Sequence, residues 1–325
     1  MKKCTIGGQA VLEGVMMKAP NRMAIAVRQK DGKIVVNTKD ITSVKDKYSI
    51  LKWPILRGIV NFVETMIMGI QSLMDSAELY GEESEENKPS KFESWVSKKT
   101  GKRSEDVMVF FALLVALGFA VLLFIIGPAL LTGLIGRTID NNLVKSLIEG
   151  VIRLSVFLIY ILAISRMKDI KRVFEYHGAE HKTIHCYEHE KELTVENARE
   201  FTTLHPRCGT AFLLIVMVIG IVVFSFLKWD NMILRLVMKL LLLPIVAGIS
   251  YEILKWAGAS DSKLVKIIMY PGLMLQRLTT KEPDDEQLEV AIYSFLAATG
   301  VSTDQGEVLE SEHNEGHKQS QGFAG

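Results

Sequence analysis

The stretch "VMVFFALLVALGFAVLLFIIGPALLTGLIG", residues 107–136, decides the fold, because no charge interrupts it. A bilayer core needs about 20 consecutive apolar residues per helical span, and an ordinary buried helix of a soluble domain is shorter than this run. The chain is therefore expected to be mainly α, a polytopic helical membrane protein, although 325 residues alone would also suit one to three soluble domains. Pro128 is expected to kink or end the helix. The 49% hydrophobic content fits this class.

Three further apolar stretches follow, roughly 144–165, 211–228 and 232–250, giving about four transmembrane helices. Orientation follows from the loop cations. Arg166, Lys168, Lys171, Arg172, Lys182, Lys191, Arg199 and Arg207 lie between the second and third stretches, against Arg137 and Lys228 in the flanking connections. The loop 166–210 is expected in the cytoplasm, with both termini there too; Lys98, Lys99, Lys102 and Arg103 ahead of the first span agree. Polar residues interrupt the N-terminus too early for a cleavable signal peptide.

Residues 1–80 read as a peripheral cytoplasmic segment. Strand-like runs flank the Asp31-Gly32 turn and predict a small β-hairpin. Pro54–Leu79, an apolar run broken by Arg57, Asn61, Glu64 and Gln71, reads as an amphipathic helix on the membrane surface or the bundle, or equally as a buried helix of a small soluble subdomain. Residues 81–106 form a charged linker, 107–302 the membrane domain, and 303–325 a polar tail expected to be disordered. A net charge of +1 and the absence of any recognition motif exclude a nucleic-acid partner; the lipid bilayer is the partner expected. The three cysteines, an odd number at no paired spacing, read as reduced thiols or metal ligands.

Within that loop, "EYHGAEHKTIHCYEHE" (175–190) spaces His177, His181, His185 and His189 four residues apart, using four of the seven histidines. "HGAEH" fits the H-x-x-E-H pattern. On a helix His177 and His181 share a face and can offer two imidazoles to one divalent ion, zinc by donor type, with Glu180 placed to act as a base. That face drifts by about 40° per four residues, so all four rings cannot reach one ion; His185 and His189 are read as a solvated continuation of the helix. A third ligand is required. Glu252 is preferred, with Glu196 and His205 as alternatives. "HPRC" offers His205 and Cys208, which with the first pair would close a tetrahedral structural site; Glu252 in place of Cys208 would leave it open for catalysis. Two other polar groups stand out. "IGGQAVLEGVMMKAP" places Gln9 and Glu13 near a glycine pair but lacks the Lys-Ser/Thr of a phosphate loop. Glu149 and Arg153 lie in the second span and Arg235 and Lys239 in the fourth, where a Glu149 pair with Arg235 or Lys239 is expected.

"GGQAVLEGVMMKAP", "HGAEHKTI", "HPRCGTAF", "LLLPIVAGISYEILKWAG" and "LMLQRLTTKEPDDEQLEVAI" together resemble the YqhQ-like family of bacterial membrane proteins over nearly the whole chain. The resemblance implies a multi-pass protein of the bacterial plasma membrane and a metal-dependent activity without a defined substrate. It gives weight to Gln9, Glu13, His177, Glu180, His181, His205, Arg207, Cys208, Glu252 and Gln276, which sit in the matching stretches. The expected function is a cytoplasm-facing, zinc-dependent hydrolase. The alternatives are a membrane scaffold or assembly factor with a structural metal, and a transporter or channel component built on the charged residues within the spans.

Overall fold

The computed structural model of the chain describes residues 6–81, 104–135, 139, 141–227, 231–260, 262–300 and 309–310. The expected charged linker (81–106) and polar tail (303–325) lie outside the described residues, apart from Gly81, 104–106 and 309–310. Four strands form an antiparallel meander: β1 (Gly7–Val11), β2 (Gly14–Lys18), β3 (Arg22–Arg28) and β4 (Ile34–Asp40). A two-residue strand, β5 (Leu309–Glu310), adds in parallel to β4. The β3–β4 hairpin turns at Asp31-Gly32, where Gly32 takes φ 88° and the Gln29 N–H meets the Lys33 carbonyl at 2.8 Å. The sequence suggested that hairpin alone. The β1–β2 hairpin before it turns through Leu12-Glu13, with Glu13 held at φ 48°.

Alternation in the strands divides the sheet's core into two faces. Val15, Met17, Ala24, Ala26 and Val36 pack with Tyr176, Ala179 and Ile184 and with Leu288, Ala291 and Phe295. Val11, Met16, Met23, Ile25 and Val27 form the other face, closed by Leu79 and Tyr80. The sheet is therefore a buried middle layer, which is why β2 and β3 read as continuous apolar runs.

The helices are the single turn α1 (Val44–Lys47), α2 (Leu56–Tyr80), α3, α4 (Asn142–Ile164), α5 (Lys168–Glu188), the short α6 (Val195–Arg199), α7 (Gly209–Ser225), α8 (Met232–Ala259), α9 (Lys263–Thr279) and α10 (Asp285–Thr299). Helix α3 runs through Ser104–Val121, a π turn at Leu122–Ile126 and Gly127–Ile135. Pro128 thus neither ends the helix nor stands alone as a kink. The π turn just before it accommodates the missing N–H, with the Gly127 N–H reaching back to the Leu122 carbonyl. Helix α2 stops where Gly81 adopts the left-handed conformation (φ 71°). Helix α10 starts on a reciprocal capping box between Asp284 and Gln287.

Among the described residues, three helices are long and apolar enough to cross a bilayer by length and composition: Phe110–Ile135, Asn142–Ile164 and Ile233–Gly258. The sequence suggested four. The remaining one, α7, has 17 residues, below the length a full span usually needs. The outside of this group is apolar: Val115, Ile159, Ile233 and Leu241 are each more than 60% exposed. Helix α2 packs against α8, with Gly58 set against Gly248. Helix α9, which the sequence left undivided within 251–300, exposes Leu264, Ile267 and Ile268.

Candidate metal centre

Helix α5 turns one face to the sheet and presents its histidines to the loop 200–208 and to the C-terminal end of α9. Gly178, mid-helix and costly there, is explained by that packing: a Cβ would sit 2.0 Å from the Lys281 carbonyl oxygen. The Lys281 N–H is bonded to the Phe174 carbonyl at 2.9 Å, which ties the chain leaving α9 onto α5.

The His177 and His181 rings lie 4.5 Å apart, centroid to centroid. Each donates its Nδ1–H to a backbone carbonyl, His177 to Thr279 (2.9 Å) and His181 to Thr203 (2.5 Å). A carbonyl can only accept, so both Nδ1 atoms carry the proton and both Nε2 lone pairs are available. The His177 Nε2 faces the Cys208 Sγ at 3.2 Å, and the ligand atoms of His177, His181 and Cys208 all lie within 4.8 Å of one another. Cys208 caps the N-terminus of α7, where the Thr210 N–H donates to Sγ at 3.4 Å, a position that suits negative charge. Imidazoles held by carbonyls around a thiol are the donor set and outer support that a zinc ion requires. The residues therefore fit the ion, with three ligands and a fourth position left over.

His205 does not join this set. Its backbone is gripped by Gln276: the His205 N–H donates to Oε1 and the Gln276 Nε2 donates to the His205 carbonyl, both at 2.8 Å, and Gln276 is fully buried. The grip aims the ring at a second group, His185, Glu188 and His205, whose ligand atoms also lie within 4.8 Å of one another. The H-x-x-C pair is thus divided between two neighbouring groups, and the closed four-ligand set of His177, His181, His205 and Cys208 does not come together.

Glu180 is 5% exposed and lies against β1. It accepts the Gly8 N–H, and a Cβ on Gly8 would come within 2.8 Å of its Cγ and Cδ. Its Oε2 is buried and has no hydrogen-bond partner among the described residues. Burial raises its pKa, against the opposing pull of His177, His205 and the Gly8 N–H. Burial also lowers the pKa of His181 and His205 and takes that of His185 down to about 4. These rings are neutral at pH 7, the form in which imidazole binds a metal.

The other expected site residues lie elsewhere. Glu252 forms a two-pronged ion pair with Arg57 of α2, Nε–Oε1 2.6 Å and Nη2–Oε2 2.5 Å, and belongs to neither group. The expectation that it completes the site is corrected, because a guanidinium already occupies both its oxygens. Glu196 is exposed on α6. Arg207 bonds Glu188. Glu13 accepts from Arg172 and, at 3.3 Å, from the Tyr176 hydroxyl. Gln9 lies against Gly69 of α2 and lines a cavity of about 860 Å³ that also touches Lys18, Ile41 and Met68. Glu149 accepts from Arg153 (2.5 Å), Arg235 (3.2 Å) and Lys239, so it meets both of its alternative partners. All four are buried.

Sequence reasoning missed His185 and Glu188. His185 is buried, while His189 is exposed as expected. The available signal was the spacing of His177 and Glu188: eleven residues make three turns plus about 20°, returning to the same helix face.

The arrangement is a helical protein with a small N-terminal sheet and a buried histidine–cysteine–carboxylate site beside its apolar helices. The chain belongs to a family described as "Protein of unknown function (DUF1385)", which matches residues 53–301. It is similar to the "Uncharacterized protein YqhQ" of Bacillus subtilis (strain 168), 38% identical over 299 residues that cover 89% of this chain and 90% of that protein. No solved structure matches significantly.

Proposed function

We propose that the chain is a multi-pass membrane protein with a cytoplasm-facing zinc centre, ligated by His177, His181 and Cys208, that carries out hydrolysis. The observation that carries this reading is the pair of Nδ1–H bonds to the Thr279 and Thr203 carbonyls, which leave two Nε2 lone pairs facing one thiol. Zinc held there would supply Lewis acidity toward a carbonyl or phosphoryl oxygen and toward water. Glu180 would take up a proton through its unpartnered Oε2, and its raised pKa suits a base that must also return that proton. Three protein ligands, rather than four, support a catalytic over a structural role. The membrane reading is supported by the three apolar helices and their exposed side chains. The cytoplasmic orientation is supported by the cations of the loop 166–210.

The test is metal analysis of detergent-purified protein. The wild type should carry zinc, His181→Ala and Cys208→Ser should each lose an ion, and Glu252→Gln should lose none. Equal metal in wild type and His181→Ala overturns the reading. Glu180→Gln should keep the metal and lose hydrolysis; a loss of metal instead makes Glu180 a ligand.

A further inference from the structure

Helix α5 does not stop presenting donors at His181. His185 donates Nε2–H to the Leu204 carbonyl at 2.9 Å, which leaves the lone pair on Nδ1. That atom is buried and has no hydrogen-bond partner among the described residues, and His185 is only 7% exposed. A buried, unpartnered imidazole nitrogen is costly unless something ligates it. It is held as His177 and His181 are, one nitrogen tied to a backbone carbonyl and the other lone pair turned to a group of donors. The neighbours are His205, 4.7 Å away between ring centroids, and Glu188.

The spacing around Glu188 points the same way. Its Oε2 lies 3.4 Å from His205 Nε2, longer than an ordinary N–H···O bond. Ligands at about 2.0–2.1 Å from a tetrahedral ion stand roughly 3.3–3.4 Å apart. The other carboxylate oxygen accepts from Arg207, an outer partner of the kind that orients ligating carboxylates. Ligation through Nε2 would place the His205 proton on Nδ1 and displace the Arg207 N–H, whose contact there is already long at 3.3 Å.

We propose that His185, Glu188 and His205 form a second divalent-cation site next to the first, so that the α5 stripe holds a pair of ions. The inference rests on His177, His181 and Cys208 holding the first ion. The drift along the helix that prevents four imidazoles from sharing one ion is what spreads the stripe over two. The His181 and His205 rings, one from each group, are 5.6 Å apart between centroids. Glu180 is close enough to act electrostatically on both His177 and His205. The second group, two imidazoles and a carboxylate without sulfur, suits zinc, iron(II) or manganese, whereas the thiol of the first favours zinc.

The experiment is ion counting on the full-length protein in detergent, loaded with zinc and in parallel with cobalt(II). Cobalt distinguishes the sites, because only the Cys208 site gives thiolate-to-metal charge-transfer absorption. The wild type should hold two ions per chain. Cys208→Ser should hold one and lack the thiolate band. His185→Ala should hold one and keep the band, which also shows that the variant is folded. His185→Gln, which can still donate to the Leu204 carbonyl, repeats the test with less disturbance. A wild type with one ion that His185→Gln leaves in place overturns the second site and spares the first. Loss of the thiolate band in folded His185→Gln also overturns it, since His185 would then serve the first site. A wild type with no ion removes both readings.

Discussion

Gln276 shows how much of this site depends on a side chain that performs no chemistry. Its amide bonds both the N–H and the C=O of His205, in a segment that has left helix and sheet and whose only other backbone bond at that residue is the Cys208 N–H on the same carbonyl, at 3.2 Å. Gln276→Leu roughly keeps the volume, leaves the buried His205 N–H without its partner and takes from the His205 carbonyl one of its two donors, the Cys208 N–H at 3.2 Å remaining. It is expected to cost about 2 kcal/mol of stability, read by denaturant unfolding in detergent, and to weaken binding at the proposed His205 ion site more than at the proposed Cys208 site. A change under about 0.5 kcal/mol would mean the loop is held by other contacts. At this scale the sequence was only partly informative. "HGAEH" marked His177, Glu180 and His181, since four-residue spacing on one helix is local information. The choice among Glu252, His205 and Cys208 was not local: it depends on Arg57, almost two hundred residues from Glu252, occupying that carboxylate. Nor could the sequence distinguish a solvated His185 from a buried one, because the segment that buries it, around Phe201 and His205, carries no pattern of its own.

Among the elements, α4 and α8 are joined at Glu149, whose carboxylate receives Arg153 from its own helix and Arg235 and Lys239 from the other. The four-residue spacings of these charges made a pairing legible in the sequence; that one carboxylate serves three cations was not. Removing the carboxylate strands buried cations in apolar surroundings. Glu149→Gln is expected to cost about 3–5 kcal/mol, with part recovered when Lys239→Met is added, and unfolding of the single and double variants in the same detergent checks both claims. No recovery would mean that the Lys239 ammonium is stabilised by something other than Glu149. The same closed arrangement gives no support to an ion path through these residues. The elements also show where the pattern of a helix was clear but its function was not: α7 is as apolar as its neighbours, yet 17 residues at 1.5 Å each reach only about 25 Å.

Across the whole molecule, the buried charge cluster and the histidine stripe lie towards opposite ends of the apolar helices, since Cys208 begins α7 and Phe224, under the Arg153 guanidinium, lies near its end. If α7 crosses with the three longer helices, the number of spans is even and the sheet, loop 166–210 and α10 share one side. Single cysteines in a background lacking the native ones should show it: His189→Cys should react with an impermeant maleimide only in inside-out vesicles, and Asn142→Cys only in intact spheroplasts. Labelling of both from the same side would overturn the arrangement. The apolar run at 107–136 and the Asp31-Gly32 hairpin were readable because each is encoded within a few turns of chain. The sheet's role as a middle layer was not, because α10, which covers it, lies at the other end of the sequence.

That separation sets the order in which the protein can be made. The Glu180 carboxylate rests on Gly8, near the start of the chain, and the His177 ring is steered by the carbonyl of Thr279, near its end. During synthesis His177 emerges about a hundred residues ahead of the carbonyl that orients its ring, whereas those that orient His181 and His185 follow within about 22 residues. The His177 ring is therefore fixed only after α9 is made, and a nascent chain released before α9 has the carbonyls that hold His181 and His185 but not the one that holds His177.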